Sequence, residues 1–232
     1  SWSVLQGTAV FNNPTSPTSG VSGLSVGVNI LVWSLDNGGC GTSTDQVSVT
    51  VYDDANPLAT AGPDQQLCTP TTSTTLTGSS LIIPATGLWT VVSGTGNIVS
   101  PTSPTTQVNG LGIGTNVFRW TVSNGPCANG TTFDEVAINL YNNGAVAANA
   151  GPDQQLCTPN TFTTLAGNSA TAPGIGTWTV IQGSGSFANN HAANTGVSGL
   201  QIGTNIFTWT IDNGACGTTF DLVTVLLFDA SA

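Results

Sequence analysis

The chain repeats itself, and this constrains its fold more than any other feature of the sequence. The pattern Val-x-Gly-Leu-x-x-Gly-x-Asn-x-x-x-Trp occurs at Val21–Trp33, Val108–Trp120 and Val197–Trp209, and Asn-Gly-x-Cys follows each copy. The longer run Ala-Gly-Pro-Asp-Gln-Gln-Leu-Cys-Thr-Pro occurs at Ala61–Pro70 and again at Ala150–Pro159. Agreement at so many positions over a period of about 88 residues indicates a tandem array of similar domains, each with its own core.

The repeats divide the 232 residues into three units. We predict an incomplete repeat 1 at residues 1–56, a complete repeat 2 at 57–144 and a complete repeat 3 at 145–232. Repeat 1 has no counterpart of the opening segment that carries Cys68 in repeat 2. We therefore expect the natural polypeptide to extend beyond both ends of this sequence.

Each repeat has the pattern of a series of short strands. Val47, Val49 and Val51 alternate with polar residues, which is the period of a half-buried strand. The alternation recurs in repeats 2 and 3, turn-forming residues interrupt it at short intervals, and no helical pattern of useful length is present. Roughly seven short strands per unit are typical of an immunoglobulin-like (Ig-like) β-sandwich. The sequence predicts an all-β chain of tandem Ig-like sandwiches in a linear array, with the tryptophans in the cores.

Charged residues are scarce and almost all of them are acidic. Lys and Arg together number 1 against 11 Asp and Glu, which gives a formal net charge of -10. Nucleic-acid binding requires a basic surface that displaces counterions, and this composition does not provide one. The same shortage excludes a polybasic contact with anionic lipid, and no apolar run approaches the roughly 20 residues that span a bilayer. We predict no binding to nucleic acid and no insertion into a membrane.

The five cysteines are spaced as a disulfide framework. The separation is 59 residues from Cys68 to Cys127 and again 59 from Cys157 to Cys216. We predict a disulfide within each complete repeat, Cys68–Cys127 and Cys157–Cys216, and a partner for Cys40 upstream or in another chain. Reduced buried thiols are the alternative; zinc is disfavoured because the sequence has no Cys-x-x-Cys pair and a single histidine. Disulfides persist in oxidising compartments, so the pairing predicts an extracellular, cell-surface protein.

Residues with catalytic or metal-binding chemistry do not recur among the repeats. His191 is the single histidine, and no nucleophile and acid accompany it as a repeated set. Asp53 and Asp54 form an acidic pair at the first repeat boundary, but Asn142 and Asn143 replace them at the second, which argues against calcium between repeats. We predict no catalytic residue, no metal site and no cofactor, and a protein that is not an enzyme.

Several of these motifs together resemble a known family. The Ala-Gly-Pro-Asp-Gln run, the Trp-Thr-Val strands at Trp89 and Trp178, the Gly-Leu-x-x-Gly-x-Asn-x-Phe-x-Trp-Thr strand and the closing Asp-x-Val strand are similar to PKD-like (Ig-like) repeats. Such repeats occur in very large cell-surface proteins of Bacteroidota, including gliding-motility adhesins exported by type IX secretion. The resemblance implies a secreted, repetitive surface protein whose sandwiches act as spacers or adhesive modules, and it implies no catalytic residues.

The sequence favours a structural function. We predict an extracellular repeat protein that forms a rigid, disulfide-stabilised stalk or filament at a bacterial surface. Its expected partners are further copies or further repeats of the same protein, joined end to end, with surface glycans as a second class. The alternative function is an adhesin that binds glycans or surfaces through loops at the sandwich ends, such as residues 81–86 and 170–173, whose sequences differ between repeats.

Overall fold

The computed structural model describes residues 1–230, and its regular structure is almost entirely β-strand. Within this part of the chain, strands pair with strands of the same repeat and form two sheets in each. The prediction of an all-β array of tandem Ig-like domains is therefore confirmed. The limits of the three repeats stay predictions.

Repeat 1 contains a three-stranded and a two-stranded sheet. Its strands are β1 (Trp2–Gln6), β2 (Val10–Phe11), β3 (Val21–Ser22), β4 (Gly27–Asp36) and β5 (Thr42–Val51). The larger sheet has the order β1-β4-β5, and β2 pairs with β3. Residues 1–56 include no counterpart of the opening strands of the other repeats, so one side of this core is uncovered.

Repeat 2 is a complete sandwich of four strands on three. Its strands are β6 (Gln65–Cys68), β7 (Ser73–Thr77), β8 (Thr86–Ser93), β9 (Asn97–Ile98), β10 (Thr105–Asn109), β11 (Gly114–Ser123) and β12 (Thr131–Tyr141). The sheets have the orders β6-β12-β11-β8 and β7-β10-β9. The opening strand β6 runs parallel to the last strand β12, whereas the other pairs are antiparallel.

Repeat 3 has the same architecture. Its strands are β13 (Gln154–Cys157), β14 (Phe162–Ala166), β15 (Ile175–Gln182), β16 (Ser186–Phe187), β17 (Asn194–Ser198), β18 (Gly203–Asp212) and β19 (Thr218–Phe228). The sheets have the orders β13-β19-β18-β15 and β14-β17-β16, and β13 is parallel to β19. The repeated sequence therefore produces a repeated strand order.

A tilted pair of tryptophans lies in each core. The ring centroids are 5.2 Å apart for Trp2–Trp33, 5.1 Å for Trp89–Trp120 and 5.0 Å for Trp178–Trp209. The pairs of repeats 2 and 3 are fully buried, as predicted, but the pair of repeat 1 is only partly buried because the covering strands are missing from residues 1–56. Glycines make room for these rings: a Cβ added to Gly87 would lie 2.2 Å from the Trp120 ring, and one on Gly176 would lie 2.2 Å from Trp209.

A buried asparagine at the same position of each repeat satisfies backbone groups between turns and strands. These residues are Asn29, Asn116 and Asn205, the Asn of the repeated Gly-x-Asn pattern. In repeat 2, Oδ1 of Asn116 accepts the N–H of Thr95 at 2.9 Å, and its Nδ2 donates to the carbonyls of Gly112 at 2.8 Å and Ile138 at 3.3 Å. Buried backbone groups need partners, so this position requires an amide side chain.

Candidate functional site

Three of the five cysteines, Cys68, Cys127 and Cys216, lie at the junctions between repeats. At each junction, the loop between the last two strands of one repeat meets the end of the last strand of the repeat before it. We call these loops hairpin loops (residues 37–41, 124–130 and 213–217) and their cysteines hairpin cysteines (Cys40, Cys127 and Cys216). The opening cysteines are Cys68 and Cys157, which end β6 and β13.

The hairpin loop of repeat 3 is built around a short 3-10 turn at Gly214–Cys216. The N–H of Cys216 donates to the Asn213 carbonyl at 2.9 Å, and Oδ1 of Asp212 accepts the N–H of Gly214 at 2.9 Å. Gly214 has a φ of 51° and Gly217 a φ of 95°, values that glycine adopts without steric cost. Gly214 of the Asn-Gly pair thus supplies a positive φ, in a loop longer than the two-residue hairpin type.

The loop of repeat 3 docks on the end of repeat 2. Nδ2 of Asn213 donates to the carbonyl of Asn142 at 2.9 Å. The ring of Tyr141, which ends β12, lies so close to Gly214 that an added Cβ would be 2.2 Å from it. The glycine is therefore required by the approach of the ring as well as by its φ.

The junction between repeats 1 and 2 repeats these contacts. Nδ2 of Asn124 donates to the carbonyl of Asp53 at 2.8 Å, and a Cβ on Gly125 would lie 2.5 Å from the ring of Tyr52. The loop is two residues longer here, because Ala128 and Asn129 have no counterpart in the other hairpin loops. The same aromatic, asparagine and glycine positions thus form both junctions despite this difference.

A disulfide crosses the junction between repeats 2 and 3. Cys68 is bonded to Cys216, with a Cα–Cα distance of 5.1 Å and a sequence separation of 148 residues. The parallel pairing of β6 with β12 sets Cys68 opposite Tyr141, at the end of repeat 2 that receives the hairpin loop. The opening cysteine of one repeat is therefore bonded to the hairpin cysteine of the next.

This bond corrects the predicted pairings Cys68–Cys127 and Cys157–Cys216. Within repeat 2, the hairpin loop precedes β12 and the opening cysteine lies beside its far end. An 11-residue strand spans about 36 Å at 3.3 Å per residue, whereas bonded cysteines need Cα atoms within roughly 7 Å. The two cysteines of one repeat thus lie at opposite ends of the sandwich, and the predicted pairs are wrong.

Three cysteines are unpaired in this chain. Cys40 and Cys157 are exposed, and Cys127 is partly buried. In the observed bond, the hairpin cysteine of one repeat pairs with the opening cysteine of the repeat before it. The equivalent partner of Cys127 is an opening cysteine of repeat 1, and residues 1–56 do not include one. The expected partner of Cys40, upstream or in another chain, stays a prediction.

The connectors are the segments between the last strand of one repeat and the first strand of the next, residues 52–64 and 142–153. Each connector is hydrogen-bonded to the domain that follows it. The N–H groups of Ala59 and Ala61 donate to Oγ1 of Thr132 at 2.9 Å and to Oδ2 of Asp134 at 2.8 Å. The same pair of bonds recurs at the second connector, from Ala148 to Thr219 and from Ala150 to Asp221. The connectors are thus fixed in the same way at both junctions.

The other candidate residues have structural contacts. His191 is exposed, and its Nδ1 lies 3.0 Å from the carbonyl of Gly176 and 3.2 Å from Oγ1 of Thr177, beside an open concavity of about 320 Å³. Oδ1 of Asp53 accepts the N–H of Ala55 at 2.9 Å. In the equivalent turn, Oδ1 of Asn142 accepts the N–H of Gly144, so Asp and Asn make the same hydrogen bond at this position. Within residues 1–230, no group of three or more His, Cys, Asp or Glu side chains is arranged to hold a metal ion.

Comparison with known proteins points to one type of domain. No protein-family model matches the chain. Over 188 residues it is 28% identical to the KIAA0319-like dyslexia-associated protein of Mus musculus, covering 75% of this chain and 18% of that protein. Over 137 residues it is 35% identical to the dyslexia-associated protein KIAA0319 of Homo sapiens, covering 56% of this chain and 13% of that protein. The chain thus spans less than a fifth of the length of these relatives.

One solved structure is also similar to part of the chain. The solution structure of the PKD domain from the KIAA 1837 protein is 29% identical, with a TM-score of 0.33, over 38% of this chain and 93% of that one. The chain is similar to PKD and Ig-like domains. In the part of the chain that the structure describes, no helix has the length and apolar character needed to cross a bilayer.

Proposed function

We propose that this chain is a structural, non-enzymatic extracellular protein, whose sandwiches form a rigid stalk or filament at a bacterial surface. The observation that carries the proposal is the Cys68–Cys216 disulfide, which joins two consecutive domains across their junction. A bond in this place fixes neighbouring domains relative to each other. That is a property of a spacer and contributes nothing to catalysis.

The repeated junction supports a stiff array. The aromatic ring, the hairpin asparagine and the pinned connector recur at both junctions. Interfaces between domains of one chain otherwise allow relative motion unless they are large and apolar. A covalent bond at the hairpin loop restricts that motion without a large interface.

The disulfide also supports an extracellular location, since such bonds form and persist in oxidising compartments. The similarity to PKD and Ig-like domains agrees with it. The bacterial surface and the type IX export route rest on the resemblance of the repeat motifs to those of Bacteroidota surface proteins. Antibody labelling of intact source cells tests the location: surface label is expected, and label that appears only after lysis would contradict it.

Small-angle X-ray scattering of the oxidised chain tests the stalk. A strand of ten residues spans about 33 Å, so three domains in line should give a largest dimension on the order of 100 Å. Replacing both bonded cysteines, in Cys68→Ser/Cys216→Ser, should broaden the distance distribution, because the second junction is then free to bend. Cys127→Ser is the matched control and should scatter like the wild type. An oxidised chain as flexible as the double variant would contradict the proposal.

One observation favours the alternative function as an adhesin. Phe133 and Phe220 occupy equivalent positions on the last strands of repeats 2 and 3 and are exposed on the sheet surface. The guanidinium of Arg119 lies over the Phe133 ring, 4.3 Å from its centroid. The aromatic surface that stays exposed at the two equivalent positions is of the kind that stacks on sugars. A glycan array distinguishes the two functions. Dose-dependent binding that is lost in Phe133→Ala/Phe220→Ala would establish the adhesin. Absence of binding to any glycan would support the structural function instead.

A further inference from the structure

We propose that a cavity in repeat 3 binds the terminal residue of an uncharged glycan, with His191 and Ala170 beside the sugar ring. The cavity has a volume of about 320 Å³, and Ser169, Gly174 and Ile175 line it together with these two residues. Binding pockets for small ligands begin at about 300 Å³, so there is room for one sugar. The inference goes beyond the proposed structural function, which does not depend on this cavity.

The cavity lies where repeat 3 has smaller residues than repeat 2. Three lining positions differ in this way: Ala170 for Leu81, Gly174 for Ala85 and Ala193 for Pro104. In repeat 2, the Leu81 side chain packs against the core and Ala85 is buried. Loss of apolar groups from such positions costs packing energy, and a ligand that occupies the space restores those contacts. Repeat 3 therefore has an open space, beside the variable loop at residues 170–173, where repeat 2 has side chains.

A fourth replacement adds a hydrogen-bonding group to the lining, because His191 has the place of Thr102. Its backbone N–H donates to Oδ1 of Asn189 at 2.9 Å, and its ring Nδ1 lies 3.0 Å from the carbonyl oxygen of Gly176. A carbonyl oxygen only accepts, so the neutral ring carries its hydrogen on Nδ1 and has Nε2 left as an acceptor. We expect Nε2 to accept a hydrogen bond from a sugar hydroxyl.

Oxygen atoms lie beside Gly174, another residue of the lining. A Cβ on this residue would lie 2.9 Å from the Thr171 carbonyl oxygen and 3.2 Å from Oδ1 of Asn213. Nδ2 of the same asparagine donates to the Asn142 carbonyl across the junction, and the loop that carries it is bonded to repeat 2 through Cys216. The junction thus fixes this wall of the cavity, so a ligand can bind without first ordering the loop.

The lining selects an uncharged ligand with several hydroxyl groups. The residues that line the cavity include no Asp, Glu, Lys or Arg, so a charged ligand would find no ion pair there. Carbonyl, amide and imidazole acceptors require a ligand that donates hydrogen bonds. Ile175, also in the lining, is 58% exposed and offers an apolar surface. A pyranose ring combines hydroxyl donors with an apolar C–H face and meets both requirements.

The single histidine of the chain makes the test specific. The ring of His191 gives the only imidazole signals in long-range 1H–15N NMR spectra of the oxidised, 15N-labelled full chain. The probes are the methyl glycosides of glucose, galactose, mannose and N-acetylglucosamine. We expect at least one of them to shift the ring signals saturably, with a dissociation constant on the order of 1 mM for a ligand of this size. Ring signals that none of these sugars moves would overturn the inference.

Variants that install the residues of repeat 2 distinguish the cavity from the rest of the surface. Ala170→Leu fills the space with the side chain that repeat 2 has there and should weaken binding by about tenfold or more. Ala172→Ile, in the same loop, is the matched control and should not change the affinity, because its counterpart Ile83 is 81% exposed. His191→Thr, at an exposed position, should weaken binding by about tenfold, measured from the backbone amide signal of Gly174.

Several results would contradict the proposed site. Equal affinity of Ala170→Leu and the wild type would do so, as would a loss of affinity in Ala172→Ile. A sugar that shifts the signals of Phe133 and Phe220 but leaves those of His191 unchanged would place the glycan on the sheet surface instead.

A charged sugar tests the predicted ligand class. Methyl glucuronide carries a carboxylate and should bind more weakly than the neutral sugars, since the chain has a formal net charge of -10 and the lining contains no Lys or Arg. Tighter binding of methyl glucuronide would contradict the inference of an uncharged ligand. A chain that stays extended in scattering while no sugar binds would refute this inference alone and leave the structural function intact.

Discussion

Removing the bond between Cys68 and Cys216 should destabilise two domains at once. When repeat 3 unfolds and repeat 2 stays folded, Cys68 is still held opposite Tyr141. The loop that the disulfide closes then runs from Tyr141 to Cys216, about 75 residues, which corresponds to roughly 4.5 kcal/mol of chain entropy. The loop is of similar length when repeat 2 unfolds beside a folded repeat 3, so either repeat should lose about 4 kcal/mol of unfolding free energy.

Differential scanning calorimetry measures this loss. In Cys68→Ser/Cys216→Ser, the melting temperatures of repeats 2 and 3 should both fall by about 15–30 °C, because 1 kcal/mol corresponds to roughly 4–8 °C in a domain of this size. The wild type in reductant should melt like the variant. Cys127→Ser should melt within a few degrees of the wild type, since Cys127 is unpaired.

The same variants distinguish the bond across the junction from bonds within repeats. Cys216→Ser lowers both transitions if the bond crosses the junction, but only that of repeat 3 if each repeat has its own bond. Arg119 is the single basic residue of the chain, so trypsin cuts the alkylated, denatured, unreduced protein once, between the two bonded cysteines. The two fragments should stay linked in Cys127→Ser and separate in Cys216→Ser. The reverse result, or destabilisation by Cys127→Ser, would refute the pairing and the reasoning built on it.

Two further predictions concern the cores. Gly176→Ala places a Cβ 2.2 Å from the Trp209 ring and should lower the unfolding free energy of repeat 3, measured in urea, by about 2 kcal/mol. Gly39→Ala is the control, because a Cβ there meets no atom within 4 Å, and its unfolding free energy should stay within about 0.5 kcal/mol of the wild type. Asn205→Ala removes the partner of several buried backbone groups and should cost about 3 kcal/mol, whereas the exposed Asn190→Ala should be near neutral. If Gly176→Ala is neutral, the ring packing described for the core is incorrect.

The sequence was sufficient for the strands and the cores because those depend on local patterns. The alternating Val47, Val49 and Val51 predicted a strand, and β5 extends over them. The repeated tryptophans predicted core positions, and their burial follows in the two repeats that have all their strands. Alternation and repetition report which face is apolar, and that is the information needed to build a sandwich.

The disulfide pairing depended on which end of a strand each cysteine occupies. The spacing of 59 residues between Cys68 and Cys127 recurs in repeat 3 because the repeats have nearly the same length. This spacing is therefore compatible with bonds inside each repeat and equally with bonds between neighbouring repeats. The parallel pairing of β6 with β12 decides between the two, since it places Cys68 at the end remote from its own hairpin loop. The docking role of Asn213 was equally hidden, because its acceptor is a backbone carbonyl in another repeat.

The position of the bond also determines what it can stabilise. A disulfide within one sandwich would close a loop of about 60 residues, roughly 4 kcal/mol, but would leave the junction free. The bond between Cys68 and Cys216 closes a loop of similar length in either neighbour and fixes the junction as well. Each domain then resists unfolding partly because its neighbour is folded. In an array joined in this way throughout, stability and stiffness have the same origin, and cleaving one disulfide weakens two domains and the joint between them.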